Sequence, residues 1–408
     1  MGILDINPTL KKHDPNISRS VNAEKFYGTR IFVDSYRWLY ANMSIAHNSV
    51  VMETDILNVE PDRGKSFRLL VQIFLDFYIK WVSLKLYPVI VFDGPSAPEK
   101  CAAHKKRNKA KMSIKEKIEE FKIKMASNDI LLRPDPIAYK KLLCQNNWVS
   151  RDEIAQFKQL IKKLGIPYIL AKGEAEKYGT SACIEGIGSA LFTTDTDPLV
   201  YGCTSIVTDL RTEGTASTGP LFSITEIKSQ DAYKVLGLTR DQFIDYCIML
   251  GCDYNDRIKG YGPAKCLDLI KKYNTIENIG KNTGLDIDLY NYKFCREEFK
   301  YVPSNELIVE GSIYSTIIDE KQQIECTELL SKFNLQNYLE KIIRCNNSIP
   351  KEIEVKCIAI PGRPRLNLIG NNNNINNNNI NNNNINNNIN NNNNINNNIT
   401  KIFAGMTM

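Results

Sequence analysis

The chain has 408 residues, a hydrophobic fraction of 43% and a formal net charge of +6. That is enough apolar material for one large core or two modest domains, and it excludes a wholly disordered or fibrous chain. The amino terminus, MGILDINPTLKKHDP, has no apolar signal core. Ile6 stands where a myristoylation motif needs Ser or Thr, and the most apolar stretch, 69–87, is interrupted by Asp76, Lys80 and Lys85. Secretion, an acyl anchor and a membrane span are therefore not expected. The eleven cysteines include no CxxC pair, so reduced thiols in an intracellular setting, nuclear or cytosolic, fit better than a zinc site or a disulfide framework.

In chain order, five short runs rich in Ile, Val, Phe and Tyr read as buried strands: 30–34, 88–93, 166–170, 189–195 and 204–208. Helical periodicity fills 65–86, 101–126, 151–164, 174–186, 239–251 and 263–273, with Thr239 to Gln242 in the form of a capping box. This alternation predicts an α/β fold with a doubly wound, parallel-sheet core. The segments 47–66 and 127–149 show no clear period and read as surface insertions, and 275–360 reads as mixed helix. From about Asn371 the chain becomes an Asn-Asn-Asn-Asn-Ile repeat running to Ile399, a low-complexity tail read as disordered.

Three of the strand-like runs end on an aspartate: Asp34, Asp93 and Asp195. Open α/β sheets place their chemistry at the carboxyl edge, and acids converging there repel one another unless a cation lies between them. Hard divalent ions, Mg²⁺ or Mn²⁺, suit such a site. Glu174, Glu176, Asp197 and Asp253 join the set. Each alone reads as a solvated surface acid; their recurrence at strand ends and helix starts is what makes a metal site. Glu174 and Glu176 are two residues apart and share no helix face, so both serve one site only from a first turn, or with one acting through water.

Between Lys100 and Lys124 there are ten Lys or Arg against three Glu. This run reads either as a surface for a polyanion or as a solvated lysine-rich helix. The segment from Gly260 through Gly262 and Pro263 to Lys265 joins two helices by a tight turn. Pro suits the first helical position, where free amides can meet a phosphate and the preceding carbonyls a monovalent cation; a plain helical hairpin is the other reading.

The combination GEAEKYG, TTDTDPLVYG, MLGCDY and IKGYGPAKC, in this order, resembles the flap endonuclease / XPG group of structure-specific 5′-nucleases. The match runs from Met1 to about Tyr301 and is strongest over 31–40, 88–107, 164–202 and 238–273. The resemblance implies a PIN/5′-nuclease-like core with a helical arch and a helix–two-turn–helix DNA-binding element. It implies that Asp34, Asp93, Glu174, Glu176, Asp195, Asp197 and Asp253 hold two Mg²⁺ ions (or Mn²⁺), with Lys100, Arg107 and Tyr40 as catalytic residues. Gly2, Lys105, Lys106, Gly260, Gly262 and Lys265 then fall where DNA is contacted, with K⁺ at the two-turn element. The region boundaries implied are 1–107 and 150–275 for the nuclease, 108–149 for the arch, 276–369 for a C-terminal helical region and 370–408 for the tail.

The expected activity is metal-dependent hydrolysis of 5′-flap, nicked or gapped DNA in replication and repair, by a monomer at a nuclear or other replication site. The products are a 5′-phosphate and a 3′-hydroxyl. A 5′→3′ exonuclease of the same group and a non-catalytic DNA-junction scaffold are the alternatives. The insertion 47–66 replaces the region where relatives carry a junction-splitting wedge, and Pro134 and Pro136 interrupt the arch. Ile399 to Phe403 is only a degenerate echo of a sliding-clamp peptide, lacking its glutamine and paired aromatics.

Overall fold

A computed structural model describes residues 2–56, 59–125, 135–213, 221–287 and 290–353. The Asn-rich tract, Pro134 and the Ile399–Phe403 segment lie outside the described residues. Eight strands form one sheet: β1 (Arg19–Asn22), β2 (Thr29–Asp34), β3 (Leu86–Phe92), β4 (Tyr168–Ala171), β5 (Ala190–Phe192), β6 (Ile206–Glu213), β7 (Leu221–Ile227) and β8 (Ile308–Ser312). Their order is β1-β7-β6-β5-β2-β3-β4-β8. The five central strands, β6-β5-β2-β3-β4, run parallel. Antiparallel strands close both edges, β7 and β1 on one side and β8 on the other.

The central strands are apolar throughout because both of their faces are covered. Phe32, Val89 and Val91 face a core shared with the helices Ala175–Ile184 and Arg240–Leu250. The alternating residues Val33, Ile90 and Phe92 face a second core, built with Ser35–Glu53, Arg63–Ser83 and Arg151–Lys163. Phe157 sits at its centre, 4.8 Å from the Phe74 ring and 6.2 Å from Phe92. A period of two along β2 and β3 thus serves two layers of helix, which is the doubly wound arrangement.

Several local expectations need correction. The helix expected over 65–86 stops at Ser83, because Lys85 turns the chain with a φ of 59° so that β3 can start at Leu86. Residues 47–53 are no insertion: they complete the helix Ser35–Glu53 and bury His47, Val50 and Val51. In 127–149 the helix Pro136–Cys144, opened by Asp135, packs Tyr139, Leu142 and Leu143 against Ile118 and Val51. The strand expected at 204–208 continues to Glu213 and returns antiparallel as β7. The region 276–353 is not helical throughout, since β8 pairs with β4.

Three helices between β7 and β8 are held by a charge cluster centred on the buried Asp245. Asp245, on Arg240–Leu250, accepts from Arg296 Nε and Nη2, both at 2.6 Å, and from the Ile276 amide at 3.1 Å. Arg296 also bonds Glu277 at 2.5 Å. One guanidinium thereby ties three helices together, and the Asp245 carboxylate is almost wholly out of water. Arg296→Met should destabilise the protein by about 3 kcal/mol, because it leaves a buried carboxylate unpaired; urea unfolding of the variant measures this.

Candidate active site

The carboxyl ends of β2, β3 and β5 carry the first acids. Asp34 is the last residue of β2 and caps the next helix, accepting from the Arg37 amide and from the Thr193 hydroxyl, each at 3.0 Å. Thr193 also accepts from the Asp195 amide at 3.1 Å, so one hydroxyl couples the ends of two parallel strands. Asp93 follows β3 and accepts from the Ala175 amide at 2.8 Å. The Gly94 amide donates to the Gly173 carbonyl at 2.8 Å, in a contact so close that a side chain at Gly94 would lie 2.3 Å from the Ala171 carbonyl. That approach seats Asp93 beside Glu174.

Glu174 occupies the cap position of Ala175–Ile184 and Glu176 its first turn, one of the two arrangements expected to let both serve a single site. Asp197 opens a short helix, Asp197–Tyr201. Gly2 closes the cluster from the amino-terminal side. Its φ is 80°, and a Cβ there would lie 2.1 Å from Asp195 Oδ1, so only glycine fits. Next to it the Ile3 amide donates to the Thr196 hydroxyl at 2.7 Å.

All seven acids share one electrostatic field. Burial raises the Asp34 carboxyl, and Asp195 adds to the rise against hydrogen bonds from Arg37, Thr193 and Glu176. Burial first, then Asp34 and Glu174, push Asp93 up to about 8. Glu176 stands well above the usual range through burial and the charges of Asp34, Asp93, Asp195 and Glu174. Asp197 does so through burial and Asp195, with smaller contributions from Asp253 and Glu174. The site as it stands is short of positive charge.

Two cations from the helical arm partly meet that need. Lys100, only 6% exposed, places its ammonium on Glu174 and 3.5 Å from Asp253, over the Tyr254 ring at 4.9 Å. Burial opposes its charge, but Glu174 outweighs this and keeps the amine above the ordinary lysine range. Arg107, two turns along Cys101–Met125, bonds Asp253 at 2.7 Å. Lys105 and Lys106 are exposed on the same helix. Tyr40 is 37% exposed on Ser35–Glu53, with Arg107 and Asp93 both acting on its hydroxyl. Gly260, Gly262 and Lys265 are not among the acids. The two glycines lie in the turn before Pro263–Tyr273, where a side chain at either would meet nothing within 4 Å, and Lys265, in the first turn of that helix, lies over Tyr261 at 3.7 Å.

Sequence reasoning passed over Thr193, Tyr254, Gly94 and Tyr36. Tyr36 is half-buried, and burial with Asp93 raises its hydroxyl to about 12. The doubled threonine before Asp195 was the available signal for Thr193.

Among the described residues no three His, Cys, Asp or Glu side chains already converge as a complete ligand set; Lys100 and Arg107 take up the charge of Glu174 and Asp253 instead. The donors nonetheless fit hard divalent ions. They are all carboxylate oxygens, four are held above their usual pKa by mutual repulsion and burial, and Asp197 Oδ1 is buried with no hydrogen-bond partner.

The raised carboxyls fix the sign of a pH effect. Their folded pKa values exceed the unfolded ones near 4, so the stability they contribute is present in acid and lost as pH rises toward about 8, where Asp93 titrates. Asp93→Asn should therefore raise the Tm of the metal-free protein at pH 8, with the gain shrinking toward pH 4. Mg²⁺ should raise the Tm of the wild type at pH 8 more than that of the variant. Thermal melts at the two pH values check both.

The XPG N-terminal domain model matches residues 1–114 and the XPG I-region model matches 165–253. Flap endonuclease 1 of Leishmania infantum is 30% identical over 324 residues, covering 76% of this chain and 77% of its own. Flap endonuclease 1 of Lodderomyces elongisporus is 28% identical over 313 residues, covering 77% and 76%. In fold, the chain is similar to flap endonuclease-1 from Methanococcus jannaschii (TM-score 0.53, 18% identity, 81% of this chain and 96% of that one). It is equally similar to human GEN1 solved with Holliday junction DNA (TM-score 0.53, 17% identity, 84% and 77%). With both family regions matched and a relative 30% identical over three quarters of its length, the chain belongs to the XPG family, among the flap endonucleases.

Proposed function

We propose that this protein is a divalent-metal-dependent, structure-specific DNA nuclease that hydrolyses the phosphodiester at 5′ flaps or related nicked and gapped junctions. The observation that carries this reading is the gathering of Asp34, Asp93, Glu176 and Asp197 into one over-negative cluster, with Asp34 and Asp197 buried and Asp93 and Glu176 half-buried, flanked by Lys100 and Arg107. The seven carboxylates are enough donors for two Mg²⁺ ions, or Mn²⁺. Such ions, when bound, acidify a water and neutralise charge on the attacked phosphate.

The chain's own groups do the rest. Lys100 is held charged, and its partners Glu174 and Asp253 are themselves candidate ligands, so ligation of these acids frees the ammonium for a phosphate oxygen. Arg107 reaches Asp253 from a partly exposed position and presents a planar donor fork to the same phosphate. Tyr40 offers an exposed ring on which a nucleobase can stack. Recognition falls to backbone contacts: Lys105 and Lys106 on the arm, and the open Gly260–Gly262 turn, where helix amides meet a phosphate and turn carbonyls a K⁺ ion. No helix among the described residues is long and apolar enough to cross a membrane. We place the activity at nuclear or other replication sites, in a monomer.

Asp195→Asn should abolish cleavage while preserving or strengthening binding of a 5′-flap oligonucleotide; equal loss of both would assign Asp195 to folding. Lys100→Ala should lower the single-turnover rate about a hundredfold or more with little change in Kd, as expected of a donor acting on transition-state charge. The deciding experiment is cleavage of end-labelled flap, nick, gap and blunt duplexes with Mg²⁺ and with EDTA. One short flap product that appears only with metal supports the reading, and an intact flap in the presence of folded protein refutes it.

A further inference from the structure

The network just described leaves Arg37 unused. This residue stands in the first turn of Ser35–Glu53, where its amide is held 3.0 Å from Asp34 Oδ1. Its side chain crosses from the end of β2 to the loop after β5, where Nε donates to the Thr194 hydroxyl. Thr194 lies between Thr193, which joins Asp34 to Asp195, and Asp195 itself. Both ends of the Arg37 residue are thus fastened to the frame of the acid site.

An arginine so close to several carboxylates would ordinarily pair with one of them. Among the described residues Arg37 forms no ion pair, and its side chain is tethered by a neutral hydroxyl. The tether occupies one of five guanidinium donors, so the terminal nitrogens and the full charge remain on the exposed side. Lys100 and Arg107 differ in this respect, since each is already bound to an acid. Tyr40 lies three residues along the same helix and so beside Arg37 on its surface, with the Lys111 ammonium 5.7 Å from the Tyr40 ring. The rim above the buried acids therefore carries two cations and an aromatic face.

A cation held at a negative site but kept out of its ion pairs is suited to an anion arriving from solvent. We propose that Arg37 is a backbone-phosphate contact at the mouth of the site: its guanidinium takes two oxygens of one phosphate of the bound strand, with Thr194 as the positioning residue. Asp34 sets where the arginine begins, Thr194 sets where its fork points, and the fork matches a phosphate bidentately as an ammonium does not. The inference rests on the nuclease reading for the identity of the strand, and it concerns binding rather than bond breaking.

The test is equilibrium binding of a 5′-flap oligonucleotide with Ca²⁺ in place of Mg²⁺, from about 50 to about 200 mM salt. Wild type, Arg37→Ala and Arg37→Lys are compared, and single-turnover cleavage in Mg²⁺ is run in parallel. Removing one phosphate contact should weaken binding and lower the slope of log Kd against log salt by about one, and Arg37→Lys should restore the slope because it restores the charge. Arg37 is exposed and its backbone bond to Asp34 survives both changes, so the variants should fold. An unchanged slope in Arg37→Ala, even with weaker binding, overturns the proposal in favour of a purely structural role, as does a lysine that leaves the slope low. Wild-type protein that binds but does not cleave refutes the nuclease reading while the salt slopes still decide the role of Arg37.

Discussion

Carboxylates crowded out of water at one edge of a parallel sheet repel one another, and the rest of this structure is organised around that repulsion. Asp93, Glu176 and Asp197 each feel burial first and a neighbouring acid next, and Asp34 feels burial and Asp195 against its hydrogen bonds. The cost is borne by the two apolar cores that cover the sheet on either face, and it is retained because a divalent ion or a phosphate with its ions can use what the fold leaves uncompensated.

The scaffold holds the acids together through small, stiff devices rather than long side chains. Thr193 ties the ends of β2 and β5 with one hydroxyl. Gly94 lets the loops after β3 and β4 touch, which seats Asp93 against the helix that carries Glu174 and Glu176. Gly2 brings the amino terminus onto Asp195 at a distance that excludes any side chain. These contacts leave the carboxylates little room to relieve their repulsion by moving apart, which is what a site for hard cations requires. The positive groups arrive from one helical arm, beginning at Lys100, and are paired with the acids at its base while its exposed lysines face solvent.

Much of the candidate site was legible in the sequence because parallel strands in an open sheet end at one edge. A run such as Arg30 to Asp34 shows both that it is buried and that its last residue lies where chemistry is done. The first-turn requirement on Glu174 and Glu176 followed from helix geometry alone and holds in the structure. Other features were not legible. Residues 47–53 hid their helical stripe because a polar residue, His47, is buried with Val50 and Val51 while an apolar one, Met52, faces solvent, so the sequence pattern looked irregular. The edge strands β1 and β8 are short and largely exposed, and β7 mixes polar with apolar residues, so none gave a continuous apolar run to read. β8 pairs with a strand more than a hundred residues away, a contact that no local pattern encodes.

The sequence by itself determined the residue types: which acids end the strands, where the helices begin, and which family the ordered motifs resemble. These are local properties, set by periodicity, capping and side-chain chemistry. Only the tertiary structure decided how the charges are shared. Lys100 is bound to Glu174 and Asp253, Arg107 to Asp253, while Arg37 is tethered to a threonine and left facing solvent. The reason is physical. Charge pairing falls off with distance and strengthens with burial, and both are set by which strand ends meet across the sheet, not by the spacing of residues along the chain.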